Sequence, residues 1–287
     1  MNISRIIRQD KEFGAFTDCL KYDLKCESPL PIVINGLSGG ATDAFITETV
    51  KEGIALGAPV LVLTSDESER SSLAQTLKSA GIRTGEYKSR ELVFHNISAS
   101  HDVDRERLLV LSEILSEDVD AVVSTPSAAL GYTMPKEILE SLSLKLTLGD
   151  EIATDTLSNK LIAMGFALVD SVEDRGQFAK RGGIVDFWGA DMDLPARVEF
   201  FGDEVDRLVS FDPISQRAVE QISKIELIPA REVVLLDGAR ERIKAEIEKL
   251  LRSSTISEQV REKLMTELSY ASSNAEIDFK DKYLGLI

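Results

Sequence analysis

The sequence is poor in the residues that build disulfide frameworks, metal sites and membrane spans. Its 287 residues include two cysteines, Cys19 and Cys26, and two histidines. Two cysteines at this spacing form neither a disulfide framework nor a CxxC zinc knuckle, so we interpret them as reduced thiols. No apolar run approaches the ~20 residues that cross a bilayer, and the charged first residues hold no signal-peptide core. We therefore expect a cytoplasmic protein with no membrane partner.

Basic residues are also scarce. The chain has 33 Lys and Arg against 49 Asp and Glu, a formal net charge of −16. This balance disfavours a general nucleic-acid binder, because DNA attracts a broad basic face. A hydrophobic content of 43% is sufficient for a packed core. The length is typical of two ordinary domains, which usually have ~100–200 residues each.

In the first half of the chain, short apolar runs alternate with helical patterns. The predicted strands are PIVI (31–34), PVLVLT (59–64) and DAVVST (120–125). Helices are predicted from Thr42 to about Leu56, from the Ser65/Asp66 capping region to Gly81, and over 104–115. Strands that alternate with helices predict a parallel sheet in a doubly wound α/β domain.

From about Leu144 the pattern changes to that of an α+β domain. After a short helix, SNKLIAMGF, three strands are predicted at 183–188, 196–201 and 204–212, with a tight turn at Gly202-Asp203. This order indicates an antiparallel meander.

Two amphipathic patterns, 238–254 and 257–273, follow the meander. A helical pair this short cannot bury its apolar stripe alone, so we expect it to pack on the first domain, with the meander as an insertion. The predicted boundaries are 1–143, 144–229 and 230–287.

A glycine-rich turn, GLSGGATD (36–43), lies between the first predicted strand and the first predicted helix. A phosphate loop, GxxxxGK[ST], needs a lysine for the β- and γ-phosphates and a hydroxyl for Mg²⁺. In register, Ala41, Thr42 and Asp43 occupy the last three positions; with Thr42 as the hydroxyl, Ala41 replaces the lysine. Asp43 would repel a triphosphate. We therefore predict a degenerate P-loop-NTPase-like sheet domain without catalytic residues, whose remnant loop comprises Gly36, Gly39, Gly40, Ala41, Thr42 and Asp43.

Other acidic and histidine patterns give weaker hypotheses. His95 and His101 lie six apart, which fits no standard metal-ligand pair, and we interpret them as loop residues. The acidic pair in LTLGDEIA (146–153) would need a working phosphate loop, so we interpret it as a solvated turn. Four carboxylates on or beside the meander resemble a nuclease site only loosely, and we expect no metal: Asp186, Glu199, Asp203 and Glu204.

The most informative segment is DRGQFAKRGG (174–183), which with Arg197 concentrates cations in an acidic chain. Alternation along 196–201 places Arg197, Glu199 and Phe201 on one face of a strand. A face with an arginine, a glutamate and an aromatic ring is typical of a protein interface. The alternative interpretation is a strand face covered by the neighbouring helix, with its charges exposed to solvent.

The segment RGQFAKRGGIVDFWGADMDLPARVEFFGDEVDRLVSFDPISQR closely resembles the signature of domain 2 in the family of transcription-repair coupling factors and the excinuclease component UvrB. The resemblance covers the whole chain, with the degenerate loop region similar to domain 1a and the C-terminal helices similar to domain 1b. UvrB requires an intact GxxxxGKT loop, whereas the coupling factors have lost it, as GLSGGATD has. The alternative is a UvrB-like DNA-binding or ATP-dependent repair helicase fragment.

The resemblance implies a non-catalytic adaptor that recruits the excinuclease component UvrA to stalled RNA polymerase. The implied longer protein binds RNA polymerase and DNA and uses ATP and Mg²⁺ in motor domains that this sequence lacks; no cofactor is expected here. In the family, domain 2 is masked by a C-terminal region, also absent from this sequence. The contact positions carried over by the resemblance are Arg175, Phe178, Arg181, Arg197, Glu199, Phe200 and Phe201. One departure is Ala179, where UvrB has an arginine.

Overall fold

The computed structural model describes residues 3–90, 101–235, 238–253 and 256–273. The helices in these residues are α1 (Ile3–Gln9), α2 (Lys11–Asp23), α3 (Gly40–Ala55), α4 (Glu67–Ser79), α5 (His101–Leu115), α6 (Pro126–Ala129), α7 (Lys136–Leu142), α8 (Thr154–Ala163), α9 (Ala239–Leu251) and α10 (Glu258–Ser272). The strands are β1 (Val60–Leu63), β2 (Thr84–Tyr87), β3 (Ala121–Ser124), β4 (Leu144–Thr147), β5 (Ala167–Leu168), β6 (Gln177–Arg181), β7 (Ile184–Phe187), β8 (Ala196–Phe201), β9 (Glu204–Phe211), β10 (Ala218–Gln221) and β11 (Lys224–Leu227).

The chain divides into two compact units. The first comprises residues 1–89 and 113–131, and the second comprises residues 90–112 and 132–287. Together they make a mixed α/β protein with parallel and antiparallel sheets. Among the described residues, no helix combines the length and the apolar character needed to cross a membrane.

The first unit contains the predicted parallel sheet. Its three strands lie in the order β1-β3-β2, and both pairs are parallel. The core forms where α3 and α4 contribute Val50, Leu73 and Leu77 to the buried side chains Ala121 and Val123 of β3. The predicted start of α4 is confirmed, because the Asp66 carboxylate accepts a hydrogen bond from the Glu69 backbone N–H at 2.9 Å.

The prediction of a buried strand at PIVI (31–34) is wrong. These residues form no strand, and Ile32, Val33 and Ile34 are exposed. Pro29 and Pro31 precede and begin the segment, and proline cannot donate the backbone hydrogen bond that a ladder requires. The loop that follows therefore lacks the preceding strand of a strand–loop–helix unit.

Two helices that the sequence patterns did not reveal, α1 and α2, accompany α3. Phe13, Phe16 and Phe45 form an aromatic cluster with ring centroids 5.2–5.9 Å apart. The buried Glu48 carboxylate pairs with Arg8 and accepts a hydrogen bond from Lys51 Nζ at 2.9 Å. Burial alone would raise the pKa of Glu48, but these hydrogen bonds outweigh burial and lower it.

The second unit is built on the predicted antiparallel meander. Six strands lie in the order β10-β9-β8-β7-β6-β5, with a parallel β5–β6 pair and antiparallel pairs elsewhere, and β11 pairs with β4 in a separate two-stranded sheet. Helix α8 contributes Leu157 and Leu161 to the core on one face of the larger sheet. The predicted tight turn at Gly202-Asp203 joins β8 to β9. The acidic pair Asp150-Glu151, predicted to lie in a solvated turn, follows a turn at residues 148–149, and the Asp150 carboxylate accepts a hydrogen bond from the Thr147 backbone N–H at 2.7 Å.

The second unit also contains a buried ion-pair cluster centred on Glu232. Glu232 accepts hydrogen bonds from Arg107 Nε at 2.6 Å and from Thr133 Oγ1 at 2.7 Å, and Arg90 Nη2 lies 2.8 Å from the same carboxylate. Arg90 also pairs with Asp104 at 3.1 Å. Burial opposes ionisation of Glu232, but the two arginines prevail and lower its pKa.

Helices α9 and α10 confirm the two predicted amphipathic patterns. Ile243 and Ile247 of α9 pack with Leu264 and Ala271 of α10 in a small core of their own. Their packing on the first domain, and the boundaries 1–143, 144–229 and 230–287, stay predictions.

Candidate protein-binding surface

The sheet formed by β6, β7, β8 and β9 has one apolar face and one charged face. Side chains that alternate along these strands, including Phe178, Val185 and Val198, enter the core beside α8. Because alternate residues of a strand point to opposite faces, the intervening residues lie on the other face. The cross-strand pairs arrange that face into two rows.

The inner row is Ala179, Asp186, Arg197 and Val209, joined by the strand register. Asp186 is buried, and its carboxylate accepts two hydrogen bonds from Arg197, Nε to Oδ1 at 2.7 Å and Nη2 to Oδ2 at 2.9 Å. Arg181 Nη2 adds a third at 2.7 Å. Bidentate arginine–carboxylate pairing of this kind satisfies a buried charge. The hydrogen bonds to Asp186 raise the pKa of Arg197.

All three nitrogens of the Arg197 guanidinium donate hydrogen bonds within the unit, and the group also lies over an aromatic ring. Its third nitrogen, Nη1, donates to the Gln216 carbonyl oxygen at 3.3 Å, and the group lies 4.7 Å from the centroid of the Phe211 ring. A cation stacked on an aromatic face gains further electrostatic attraction. Only 18% of the Arg197 side chain is exposed. The Arg197 side chain is therefore part of the internal structure of the sheet.

The outer row is Arg181, Ile184, Glu199 and Arg207. Arg181 is 52% exposed, although one nitrogen contacts Asp186. Arg207 Nη1 donates to Glu199 Oε1 at 2.9 Å across the β8–β9 pair, and the Arg207 side chain is 48% exposed. This row meets solvent, so it is the part of the charged face that another molecule can contact.

Phe200 and Phe201 lie on opposite faces of β8. Phe201 is 80% exposed, next to the Gly202-Asp203 turn. Phe200 packs against the core of the sheet. Strand alternation predicts that one of the two points outward, and the structure identifies it as Phe201. An exposed phenylalanine beside a charged row is a combination enriched at protein interfaces.

The remaining predicted contact residues lie beneath or beside this surface. Phe178 is fully buried in the core. Arg175 donates to the Met192 carbonyl oxygen at 2.9 Å and lies 5.1 Å from the Trp188 ring centroid. Lys180 pairs with Asp155 of α8. Ala179, the departure from the UvrB pattern, is buried in the inner row.

Two residues of the outer row, Ile184 and Arg207, are absent from the predicted set. A β-bulge explains Arg207: Phe200 pairs with Val205 but Glu199 pairs with Arg207, which leaves Asp206 as an extra residue. Strict alternation would put Arg207 on the same face as the buried Val205. The one sequence signal against that placement is the cost of burying an arginine.

Two backbone N–H groups of the degenerate loop are engaged within the loop. The backbone N–H groups of Ala41 and Thr42, at the start of α3, donate to the carbonyl oxygens of Ser38 and Gly39 at 3.3 and 3.0 Å. In a phosphate loop such N–H groups point at the ligand. Asp43 is exposed in the first turn of α3 and places a negative charge at this position.

The other hypotheses concern metals. The described residues contain no group of three or more His, Cys, Asp or Glu side chains that could hold a metal ion. Asp186 is engaged by two arginines, and Glu199 by Arg207. His95 and the side chain of His101 lie outside the described residues.

Residues 144–233 match the UvrB interaction domain family. The chain is 26% identical over 258 residues to the transcription-repair-coupling factor of Bacillus subtilis, covering 88% of this chain and 21% of that protein. It is 36% identical over 122 residues to that of Myxococcus xanthus (42% of this chain, 10% of that protein). UvrABC system protein B of Streptococcus pyogenes serotype M5 is 34% identical over 152 residues, 53% of this chain and 23% of that protein.

The chain therefore spans less than a quarter of the length of each of these relatives. The domain match covers all strands of the charged face, and the longest alignment extends it over most of the chain. Together the matches show that residues 144–233 belong to the UvrB interaction domain family and that most of the chain is similar to part of the transcription-repair-coupling factors.

Proposed function

We propose that this module is a non-catalytic adaptor that binds the excinuclease component UvrA, and so recruits it to RNA polymerase stalled at DNA damage. The observation that carries the proposal is the match of residues 144–233 to the UvrB interaction domain, since those residues build the charged face. Contacts to RNA polymerase and DNA are assigned to other parts of a longer, ATP-driven protein that acts in the cytoplasm.

The surface has the chemistry of a protein-recognition site. Phe201 offers exposed apolar area, and Arg181 keeps its remaining N–H donors accessible at the same face. Aromatic and arginine side chains carry much of the binding energy in protein interfaces. We assign Arg181, Glu199 and Phe201 to direct contact. Among the predicted residues beneath or beside them, Phe178, Phe200 and Arg197 support this layer, and Arg175 fixes the neighbouring loop through Trp188.

The first unit acts as a scaffold in this proposal and needs no nucleotide, metal or other cofactor. The loop at residues 36–43 lacks a lysine, and the N–H groups of Ala41 and Thr42 donate within the loop. We regard the unit as a degenerate P-loop-NTPase-like domain that has kept a parallel sheet without nucleotide chemistry.

Calorimetry with purified UvrA tests the proposal. We expect the chain to bind with a Kd below about 1 μM, which corresponds to roughly −8 kcal/mol. Arg181→Ala and Phe201→Ala should each weaken binding at least about tenfold, because each removes an exposed anchor. Phe201→Ala should leave the fold intact, since its side chain is 80% exposed. Arg181→Ala removes one hydrogen bond to the buried Asp186, so circular dichroism is used to check that this variant stays folded.

Arg83→Ala is the matched control, because Arg83 is an exposed, ion-paired arginine in the first unit. It should bind UvrA as the unmodified chain does. Absence of binding by the unmodified chain, with its fold verified by circular dichroism, would refute the proposal.

A further inference from the structure

Arg181 and Arg207, at the two ends of the outer row, each use only part of their N–H donors in hydrogen bonds among the described residues. Within the described residues, Arg181 uses Nη2 on Asp186, and Arg207 uses Nη1 on Glu199. Each guanidinium has five N–H donors in a planar fork. Both side chains are about half exposed. Each arginine can therefore bind a carboxylate from outside while it keeps its internal bond.

Arg197 differs from them, although it lies on the same face. All three of its nitrogens donate within the unit, to Asp186 and to the Gln216 carbonyl oxygen. Moving it toward a partner would leave the buried Asp186 carboxylate with a single arginine, which is costly. Arg197 thus fixes Asp186, and Asp186 in turn orients Arg181 at 2.7 Å.

The strand register sets the distance between Arg181 and Arg207. Arg181 lies on β6, Ile184 on β7, Glu199 on β8 and Arg207 on β9, as successive cross-strand neighbours. Three interstrand spacings of ~4.8 Å separate their backbones by about 14 Å. Two side chains lie between them: Ile184, which is partly buried, and Glu199, which is paired with Arg207. Phe201 lies two residues after Glu199 on β8.

We propose that Arg207 is the second partner-facing arginine of this surface, and that the surface selects a protein face with two carboxylates about 14 Å apart. The proposal rests on the proposed function and specifies which chemistry of the partner is recognised. The two rows carry three arginines and two carboxylates in a chain of net charge −16, and Glu204, opposite Phe201, adds a carboxylate at the edge of the face. The complementarity to a protein partner therefore lies in the accessible N–H donors of Arg181 and Arg207, which can bind carboxylates.

The experiment is calorimetry and stopped-flow binding to UvrA at 50 and 200 mM NaCl. Arg207→Gln should weaken binding about tenfold and reduce the salt dependence of the association rate, because it removes one facing charge. Arg207→Lys should restore most of the salt dependence but only part of the affinity, since lysine lacks the planar fork. Arg83→Gln, at 56% exposure, is the matched control and should change neither quantity.

Arg207 could also act indirectly by neutralising Glu199, and a second background separates the two roles. In Glu199→Gln, the further change Arg207→Gln should still weaken binding about tenfold if Arg207 contacts the partner. Loss of the Arg207 effect in that background, or an Arg207→Gln affinity within twofold of the unmodified chain, would overturn the proposal. Absence of binding by the unmodified chain would instead refute the adaptor function itself.

Discussion

At the scale of single residues, two buried carboxylates organise the second unit, and both are satisfied by arginine. Asp186 holds Arg197 and Arg181 at the charged face, and Glu232 holds Arg107 and Arg90. Arginine suits this role because it is always charged and its planar fork matches a carboxylate. The first site leaves part of Arg181 exposed to solvent. The second is enclosed, and its effect is on stability.

Glu232→Gln should lower the free energy of unfolding of the second unit by about 3 kcal/mol at pH 7, since it removes the carboxylate that pairs with the buried Arg107. The folded-state pKa of Glu232 is lowered. The contribution of the Glu232 carboxylate to the free energy of unfolding is therefore fully present above the pKa of ~4.3 that it has in the unfolded chain. It is lost as the pH falls through the lower pKa that it has in the folded protein. The destabilisation by Glu232→Gln should shrink accordingly in acid. Urea unfolding followed by the fluorescence of Trp188, the single tryptophan, at pH 7 and pH 4 measures both effects.

Glu220→Gln provides the comparison for that measurement. Glu220 is exposed on β10, so the substitution should change the free energy of unfolding by less than about 0.5 kcal/mol. Equal losses for the two variants at pH 7 would contradict the structural role of the buried cluster.

At the scale of elements, sequence periodicity predicts three of the eight described strands of the second unit, β7, β8 and β9, together with their antiparallel order. Alternation also identifies Glu199 and Phe201 as residues of the outward face. It fails for Arg207, because the bulge at Asp206 reverses the alternation of β9 between Val205 and Arg207. A bulge is decided by how two strands pair, and the sequence of one strand does not contain that information.

In the first unit, the sequence pattern predicts a strand that the structure does not have. The apolar run at 31–34 has the composition of a buried strand, but the two prolines limit its pairing and it lies exposed. Helices α1 and α2 were not predicted, since the first 26 residues show few regular apolar repeats. Their place becomes clear only from the contacts of Phe13 with Phe45 and of Arg8 with Glu48. Tertiary contacts of this kind override local patterns.

The turns that close the charged face depend on glycine. Gly182 and Gly202 have φ of +62° and +66°, and a Cβ at either would meet no atom within 4 Å. Gly202→Ala and Gly182→Ala should each cost about 1 kcal/mol, because only backbone strain opposes them. Gly14→Ala, within α2 and equally free of contacts, should stabilise by about 0.5 kcal/mol. Urea denaturation curves of the three variants give the comparison, and a stabilising Gly202→Ala would contradict the turn geometry.

At the scale of the whole molecule, charge separates the adaptor from the alternative of a DNA-binding or ATP-dependent repair fragment. The net charge of −16 repels DNA, and the cations of the charged face are largely matched by Asp186 and Glu199. Non-specific DNA binding depends on arginines and lysines that are free to displace counterions. The charge balance of the face therefore favours the proposed recognition of a protein over binding to DNA.

This argument leads to a prediction for the intact chain. At 150 mM salt it should bind neither single-stranded nor duplex DNA with a Kd below about 100 μM, because the counterion release that drives such binding is absent. Fluorescence anisotropy with labelled oligonucleotides at 50 and 150 mM salt measures this. ATP turnover with Mg²⁺ should be undetectable as well, since the loop at 36–43 has no lysine. A DNA affinity that falls steeply with salt and is lost in Arg181→Ala would instead assign the charged face to nucleic acid. ATP turnover that is stimulated by DNA would favour the ATP-dependent alternative, because an adaptor whose loop has no phosphate-binding cation cannot support it.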